Sequence, residues 1–560
     1  LGQLMAPGRA RHHPGRNDRA VGPSALPDDL SWTVPHAMSI DDIQHMVEEF
    51  GRASRRLQKA GFSGVEFSCG HGHLFHQFMS PWSNRREDAY GGDLEGRLRL
   101  IRELVAAVRS ACGSDMIIGL KLPGDDGVPG GIDPELAAQN IGHLAALGEV
   151  DYFCPAQGAH HRSLEMHTPD MHSPLVPYLE ITRRMRGAAA GTPVAAVGRI
   201  TDPGQGERML AEGVADLIAM GRTLLADPAW LLKAASGREE DIRTCLSCNT
   251  CWGEITEHRP LACVTNPRVG TVDEASWRPS AAPARRRVVV VGAGIAGLEA
   301  AAIAAARGHD VTVFGASKEV GGKLRLQAML PGCDSVGNLY ANQYPDALRA
   351  GVRFELGLRA GLQDILDCRP DAVVLAAGSS MAWPEALPDE LRAEGVVPDL
   401  REAVGTVLDF KGREPGTAVI YDHDHTRGTY AAAELFGQRF GRVVLVTPRE
   451  QIARDEPMVT QQGIYRRMYR QHVQIVLLAE LCAASALDEG RVGYLNIFNG
   501  ERGEVTDVAL LTYATSRVPD DGLAAPLREL GIEVRLVGDC HAPRGMLAAT
   551  RDGHEVGNAL

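Results

Sequence analysis

The chain has no excess of positive charge: 58 Lys and Arg stand against 71 Asp and Glu, a formal net charge of −13. That removes any general electrostatic attraction for nucleic acid or an anionic lipid surface, so neither is expected as a partner. No apolar run is long enough and unbroken enough to read as a membrane span; the most apolar stretch, Val288 to Ala306, carries three glycines and Glu299. The first residues, LGQLMAPGRARHHPG, have neither an initiator Met nor a charged segment leading into an apolar core, so they read as a cut end and not as a signal peptide. Aromatic residues are scarce, at 5%, while Gly and Ala abound, a bias that suits helices packed closely on parallel sheets. The 11 cysteines are odd in number and four crowd between Cys245 and Cys263. This argues against a disulfide framework and for a cofactor site in a reducing, cytoplasmic setting.

What is present is enough for several globular domains: 560 residues, 44% apolar and 23% charged. Short apolar runs alternate with helical patterns: GVEFSC (64–69), MIIGLKL (116–122), VDYFC (150–154), PVAAVG (193–198) and ADLIAMG (215–221), with QLMAPG (3–8) as a sixth strand. The repeating unit is βα, and the expected fold class is α/β. Residues 1–235 would form a (β/α)₈ TIM barrel lacking its first two strands in this chain, since eight are needed for closure. Residues 236–285 hold the cysteine segment and a Pro/Ala/Arg-rich linker, and 286–415 begin a Rossmann-like nucleotide-binding domain. An inserted strand, helix, strand unit spans 416–480, and 481–560 return to the first sheet through LVGDC at 536–540.

Cys245, Cys248, Cys251 and Cys263 stand at C-x2-C-x2-C-x11-C. Three close thiolates and a distant fourth suit a [4Fe-4S] cluster, whereas structural zinc usually takes its cysteines as two pairs; a zinc knob and plain buried thiols are the rivals. Gly292, Gly294 and Gly297 follow a strand and open a helix, which favours dinucleotide or ADP binding over a packing turn. The acidic ribose anchor expected near residue 315 is missing from Phe314-Gly315-Ala316, with Glu319 as the nearest substitute. In the inserted unit, DHDHTRG (422–428) replaces the glycine turn, so no NAD(P)H should bind there; the run reads as a solvated turn, with a metal site as the rival. The last two barrel strands end in Gly198-Arg199 and Gly221-Arg222, amides plus guanidinium that suit a phosphate. Ser68, His71 and His73 fall at the C-terminal end of a barrel strand, where barrel chemistry sits, with His76 a turn away. They read as hydrogen-bonding groups for substrate or cofactor, against a three-histidine zinc site or structural loop histidines. A reserve set is His160, His161, His167 and Asp170.

These motifs, GVEFSCGHGHLFHQFMSPWSNRREDAYGG, AAVGRITDPGQGERMLAEGVADLIAMGRTLLADPAW, CLSCNTCWGEITEHRPLACVTNP and VVVVGAGIAGLEAA, together resemble the iron-sulfur flavoprotein branch of the Old Yellow Enzyme family over essentially the whole chain. That branch includes amine dehydrogenases, N-methyl amine demethylases and 2,4-dienoyl-CoA reductases. The resemblance implies FMN in the barrel, with Gln3 at the pyrimidine edge, Lys121 beside N1, and Gly198, Arg199, Gly221 and Arg222 around the phosphate. It implies that the four cysteines carry a cluster draining electrons from FMN. It also implies FAD or ADP on the Gly-rich domain, with Asp539 near the ribityl or ribose region, and a homo-oligomer. Ser68 and His73 stand where the family has a His, Asn or Tyr and a proton-donating Tyr, which weakens the case for alkene reduction. The two residues between Cys248 and Cys251, and the HGHLFHQF and YDHDHTRG segments, resemble the N-methyl amine demethylases; Trp252 reads either as part of an aromatic box for a cationic amine or as a packed indole.

Three functions compete. The first is oxidative N-demethylation of a small amine or amino acid, with electrons passed to an electron-transfer flavoprotein or similar acceptor. The second runs from NAD(P)H to a 2-enoate or 2,4-dienoyl-CoA. The third is a noncatalytic chain whose incomplete barrel holds no flavin.

Overall fold

Apolar runs become parallel strands in the computed structural model, which describes residues 1–9, 19–28, 32–159, 163–482 and 486–560. The strands are β1 (Gly2–Leu4), β2 (Gly64–Ser68), β3 (Ile117–Asp125), β4 (Tyr152–Gln157), β5 (Ala195–Val197) and β6 (Leu217–Ala219). β1 to β4 pair in sequence order, all parallel, and β5 pairs with β6. A parallel bridge from Phe153 to Val194 carries the ladder from β4 towards β5. The helices between them start on side-chain caps: Ser39 before Ile40–Lys59, Asp93 before Leu94–Cys112, Asp133 before Pro134–Ala145 and Asp202 before Pro203–Ala211. Alternation sorts each strand. Val65, Phe67, Ile118, Leu120 and Phe153 pack against Ile101, Leu104, Val108 and Ile141 of the helical layer, leaving the other strand face to line the barrel interior. This is the expected βα architecture, with six strands of the ladder among the described residues.

The strands continue as β7 (Arg287–Val291), β8 (Asp310–Gly315), β9 (Arg353–Leu356), β10 (Ala372–Leu375), β11 (Glu414–Asp422), β12 (Phe440–Val446), β13 (Gln474–Val476), β14 (Val508–Ala514) and β15 (Glu533–Leu536). One parallel sheet has the order β9-β8-β7-β10-β15, and a second the order β13-β12-β11-β14. The inserted unit is thus larger than the strand, helix, strand pattern suggests, because β14, far along the chain, adds the fourth strand beside β11. The chain passes between the sheets by the antiparallel pair Ser379–Met381 and Arg517–Pro519. Helix Ile295–Ala306 is apolar almost all round, since it lies between the first sheet and helix Met546–Ala559; Gly553 and Gly557 let the two helices approach.

By contact the chain forms two compact units, Leu1–Gly221 with Thr256–Arg259, and Arg222–Ile255 with Pro260–Leu560. The cysteine segment belongs with the Rossmann-like part. No helix among the described residues is long and apolar enough to cross a membrane.

Candidate functional site

The barrel interior is polar at β1 to β4, and its hub is a residue that the sequence reading passes over. Glu66, in the middle of β2, accepts hydrogen bonds from Gln3 Nε2 (2.6 Å) and the Tyr152 hydroxyl (2.8 Å), and its carboxylate lies 3.8 Å from Lys121 Nζ. Strand register dictates this meeting: Gln3 pairs with Glu66 across β1 and β2, and Lys121 sits opposite Ser68 across β2 and β3. Gln3 and Lys121, both expected at a flavin ring, are therefore held by one carboxylate. Burial and the Glu66 charge push the Tyr152 phenol well up, and burial pushes the nearby Cys154 thiol to about 12, so both stay neutral.

His71 is positioned by its neighbours. It has a left-handed backbone (φ 60°), and its Nδ1 lies 3.1 Å from the Gln157 carbonyl oxygen at the end of β4. A carbonyl only accepts, so Nδ1 carries a proton and donates it to Gln157. The following helix, Leu74–Met79, fastens this loop: Gly72 N donates to His76 Nδ1 (2.8 Å) and Gln77 Nε2 donates to Gly72 O (2.7 Å). His76 Nε2 in turn lies 2.7 Å from Asp126 Oδ1, with both side chains buried. His76 is thus built into the scaffold, which disposes of a zinc site shared by His71, His73 and His76. His73 is the buried N-cap residue of the short helix, and Ser68 is buried at the end of β2. From the reserve set, His167 stacks on His71 with ring centroids 3.7 Å apart, and Asp170 pairs with His172. His160 and His161 lie outside the described residues.

Gly198 (φ 115°) and Arg199 (φ 48°) turn the chain sharply after β5, and a Cβ on Gly198 would stand 2.7 Å from the Tyr178 ring. Only glycine fits there, because the Tyr178 ring takes the space a side chain would need. Gly221 closes the first unit and Arg222 opens the second. The Arg222 side chain is not reserved for an anion: Nη1 donates to Asn249 Oδ1 (2.5 Å), and its charge acts on the Cys245 thiol.

Around the cysteines, left-handed Ser247 (φ 54°) and Asn249 (φ 59°) wrap the backbone. Ser247 N donates to Cys245 Sγ (3.4 Å), Thr250 Oγ1 donates to Cys248 Sγ (3.3 Å), and Thr265 Oγ1 lies 3.3 Å from Cys263 Sγ. Cys251 is influenced electrostatically by Cys245, Cys248 and Cys263. Burial pushes Cys251 to about 12 and Cys263 to about 11 as free thiols. Among the described residues, no three His, Cys, Asp or Glu side chains converge on one point as a single metal ion needs. Trp252 is half-buried next to Cys251 in the chain. Asn342 ties the loop to helix Gly337–Arg349: its Nδ2 donates to Ile242 O (3.0 Å) and its Oδ1 accepts from Thr244 N (3.2 Å). The adjacent Gln343 donates to Ile295 O (3.2 Å) and Glu299 Oε2 (3.1 Å) of the helix that follows the glycine turn.

In that turn, Gly292 (φ 116°) would bring a Cβ within 2.2 Å of the Ala376 carbonyl oxygen, so the backbone itself forms the floor of a nucleotide site beyond β7. Asp539, expected near a ribityl or ribose group, is already engaged by Lys323 Nζ, Ser379 Oγ (2.8 Å) and Arg517 Nη1 (3.1 Å). Burial works against its charge, yet Lys323 and Arg517 hold the carboxyl below its ordinary value. Burial and Arg517 push Lys323 down to about 8.

DHDHTRG is not the solvated turn its charges suggest. Asp422 and His425 are buried: Asp422 Oδ1 accepts from His425 N (2.9 Å), Asp422 Oδ2 from the Tyr430 hydroxyl (3.1 Å), and His425 Nε2 lies 3.0 Å from Thr447 Oγ1. The left-handed His425 (φ 53°) folds the side chains back under the turn. Burial raises Asp422 to about 7 and lowers His425 to about 4.

Residues 3–241 match the NADH:flavin oxidoreductase / NADH oxidase family, and residues 290–359 match a NAD(P)-binding Rossmann-like domain. The N,N-dimethylglycine/sarcosine dehydrogenase of Chromohalobacter salexigens is 29% identical, over 96% of this chain and 84% of that protein. An NADH oxidase of Thermoanaerobacter brockii is 29% identical, over 97% of this chain and 83% of that protein. The structure of histamine dehydrogenase from Rhizobium sp. 4-9 superposes with a TM-score of 0.87 at 26% identity, covering 97% of this chain and 80% of that one.

Proposed function

Because this chain is a flavin-dependent oxidoreductase of the NADH:flavin oxidoreductase / NADH oxidase family, in the iron-sulfur branch of the Old Yellow Enzyme family, we propose that it dehydrogenates a small N-methylated amine or amino acid. The N–CH group gives up a hydride equivalent, and water hydrolyses the resulting iminium to an aldehyde and the dealkylated amine. FMN in the barrel would supply the two-electron acceptor, and a [4Fe-4S] group on Cys245, Cys248, Cys251 and Cys263 a one-electron outlet to an electron-transfer flavoprotein or similar acceptor. Gln3 and Lys121, set by Glu66, would hold the pyrimidine end of the ring. Gly198, Arg199 and Gly221 would hold its phosphate, while Arg222 is engaged by Asn249. His71, its Nδ1 proton fixed on the Gln157 carbonyl, would face the amine, with His73 and Ser68 as the other candidate groups of that strand end.

The observation that carries this direction of electron flow is the filled turn after β11. Where a hydride donor's pyrophosphate would need bare glycine amides, the chain has Asp422 to Arg427, and buried Asp422, His425 and Tyr430 fix that turn from beneath. The opposite direction, NAD(P)H to an enoate or dienoyl-CoA, is the second reading, and the NADH oxidase relative speaks for it. Anaerobic mixing of the flavin-loaded protein with a panel of N-methyl amines and, separately, with NADH and NADPH decides between them. Bleaching of the flavin by an amine alone is expected. Rapid bleaching by either nucleotide, at a rate matching turnover, overturns the amine reading.

A further inference from the structure

Three loops at the C-terminal end of the barrel strands meet at one residue, Asp126, which directly follows β3 and is fully buried. Its own loop closes on it: Asp126 N donates to Ile132 O (2.7 Å), and Ile132 N donates to Asp126 Oδ2 (2.8 Å). The loop after β2 reaches its carboxylate through two side chains, since Ser80 Oγ donates to Oδ2 (3.0 Å) and His76 Nε2 lies 2.7 Å from Oδ1. The loop after β4 reaches its main chain. Ala159 N (3.3 Å) and Ser163 Oγ both donate to Asp126 O, and Gly158 N donates to Asp125 O (2.8 Å). Ser163 then opens the short helix Leu164–His167.

His76 carries the position of the carboxylate to the substrate side. Its Nδ1 accepts from Gly72 N (2.8 Å), so the ring proton sits on Nε2, toward Asp126. A carboxylate that only accepts favours this tautomer; with the proton on Nδ1, the ring would oppose the Gly72 N–H and the loop would lose its anchor. Gly72 N belongs to the peptide that follows left-handed His71, so holding it fixes the backbone from which the His71 ring projects. Gln157 O, which accepts from His71 Nδ1, belongs to the same peptide as Gly158 N, itself held by Asp125. Both partners of the stack between His71 and His167 are therefore hung from the end of β3.

We propose that Asp126 is the positioning residue of this site: through His76 and through its own carbonyl it aligns the loops after β2 and β4, and so holds the His71 ring against His167 in the orientation the amine requires. This rests on the role proposed for His71, and the experiment separates the two.

The test uses the flavin-loaded full chain. Asp126→Asn keeps the size of the side chain but turns one acceptor into a donor, so that either the Ile132 and Ser80 donors or His76 Nε2 lose their partner. Misplacing a reacting group costs about 10- to 100-fold in rate, and that fall in flavin reduction at saturating amine is expected, with flavin content unchanged. In a His71→Ala background the same substitution should cost nothing more, because the group it positions is gone, whereas general damage to the barrel would add. His76→Gln keeps a donor for Asp126 but puts no acceptor where Nδ1 stood. It should lose as much as Asp126→Asn, and it carries the test if Asp126→Asn does not fold. A readout independent of turnover is the ring-proton spectrum of isotope-labelled histidine, in which the His71 resonance is identified by its loss in His71→Ala. Stacking on His167 shifts that resonance, and both variants should return it toward the value of a free imidazole. Parent reduction rates in both variants, an equal further loss in a slowed His71→Ala background, or an unmoved His71 resonance each overturn the proposal. If His71→Ala alone keeps the full rate while the resonance moves in both variants, the positioning by Asp126 stands and the role given to His71 in the proposed function falls.

Discussion

His71 and His167 lie ring on ring, planes tilted by only 17°, although one belongs to the loop after β2 and the other to the short helix Leu164–His167 after β4. Two segments far apart in the chain thus present one imidazole stack at the C-terminal end of the barrel strands, where barrel enzymes do their chemistry.

His71→Ala is expected to slow flavin reduction by amine about 10²- to 10⁴-fold, the usual worth of general acid or base work, with flavin content unchanged. Because the rings touch, His167→Ala and the double variant should be strongly non-additive. Anaerobic stopped-flow spectroscopy reads both effects. If His71→Ala retains full reduction rates while His73→Ala loses them, the reacting group must be moved two residues along the chain.

Glu66→Leu should cost stability of about 1–3 kcal/mol, because Gln3 and Tyr152 lose their shared acceptor inside the barrel. Glu66→Gln keeps an acceptor and should recover most of the loss. Thermal unfolding and flavin content after purification are the measurements; equal stability of Glu66→Leu and the parent would show that the hub is ornamental.

Serine at any one of positions 245, 248, 251 or 263 is expected to abolish the broad visible absorption of an iron-sulfur group and leave electrons stranded on the flavin. Iron and labile sulfide analysis provides the check. About one zinc per chain, with no sulfide, would rule the cluster out.

Asp422, raised to about 7, binds a proton more tightly in the folded than in the unfolded state, so its contribution to stability is full below about pH 4 and declines as pH rises to about 7. His425, lowered to about 4, acts oppositely, with a contribution lost as pH falls from about 6.5 to about 4, and it masks the Asp422 effect in the parent. Asp422→Asn removes one of the two opposing dependences. Relative to the parent, the variant should therefore gain stability from pH 5 to pH 8, at ~1.4 kcal/mol per unit of the pKa difference removed. Denaturant unfolding at the two pH values tests this, and a constant difference would refute it.

The strands were legible because each is a short apolar run between turn residues, and the glycine turn because its strand and helix flank it. Glu66 was not, since a single acid inside GVEFS reads as an interruption of a buried strand. The signal was there in the alternation, which puts Glu66 on the same face as Ser68, on the side away from Val65 and Phe67. Asp422 and His425 misled in the opposite sense: a charged run is normally solvated, and only the depth of β11 and the Tyr430 hydroxyl bury this one. The His71 and His167 stack depends on two loops meeting, which one-dimensional spacing does not encode.

Asn342 and Gln343 are successive residues of one helix, yet one grips the cysteine loop and the other the helix behind the glycine turn. Those two loops consequently hang from a single rigid strut and cannot drift independently. Were a ligand at the glycine turn to shift this helix, Thr244 and Ile242, which lead into Cys245, are the residues that would feel it, and amide exchange at Thr244 would register it without any electron moving.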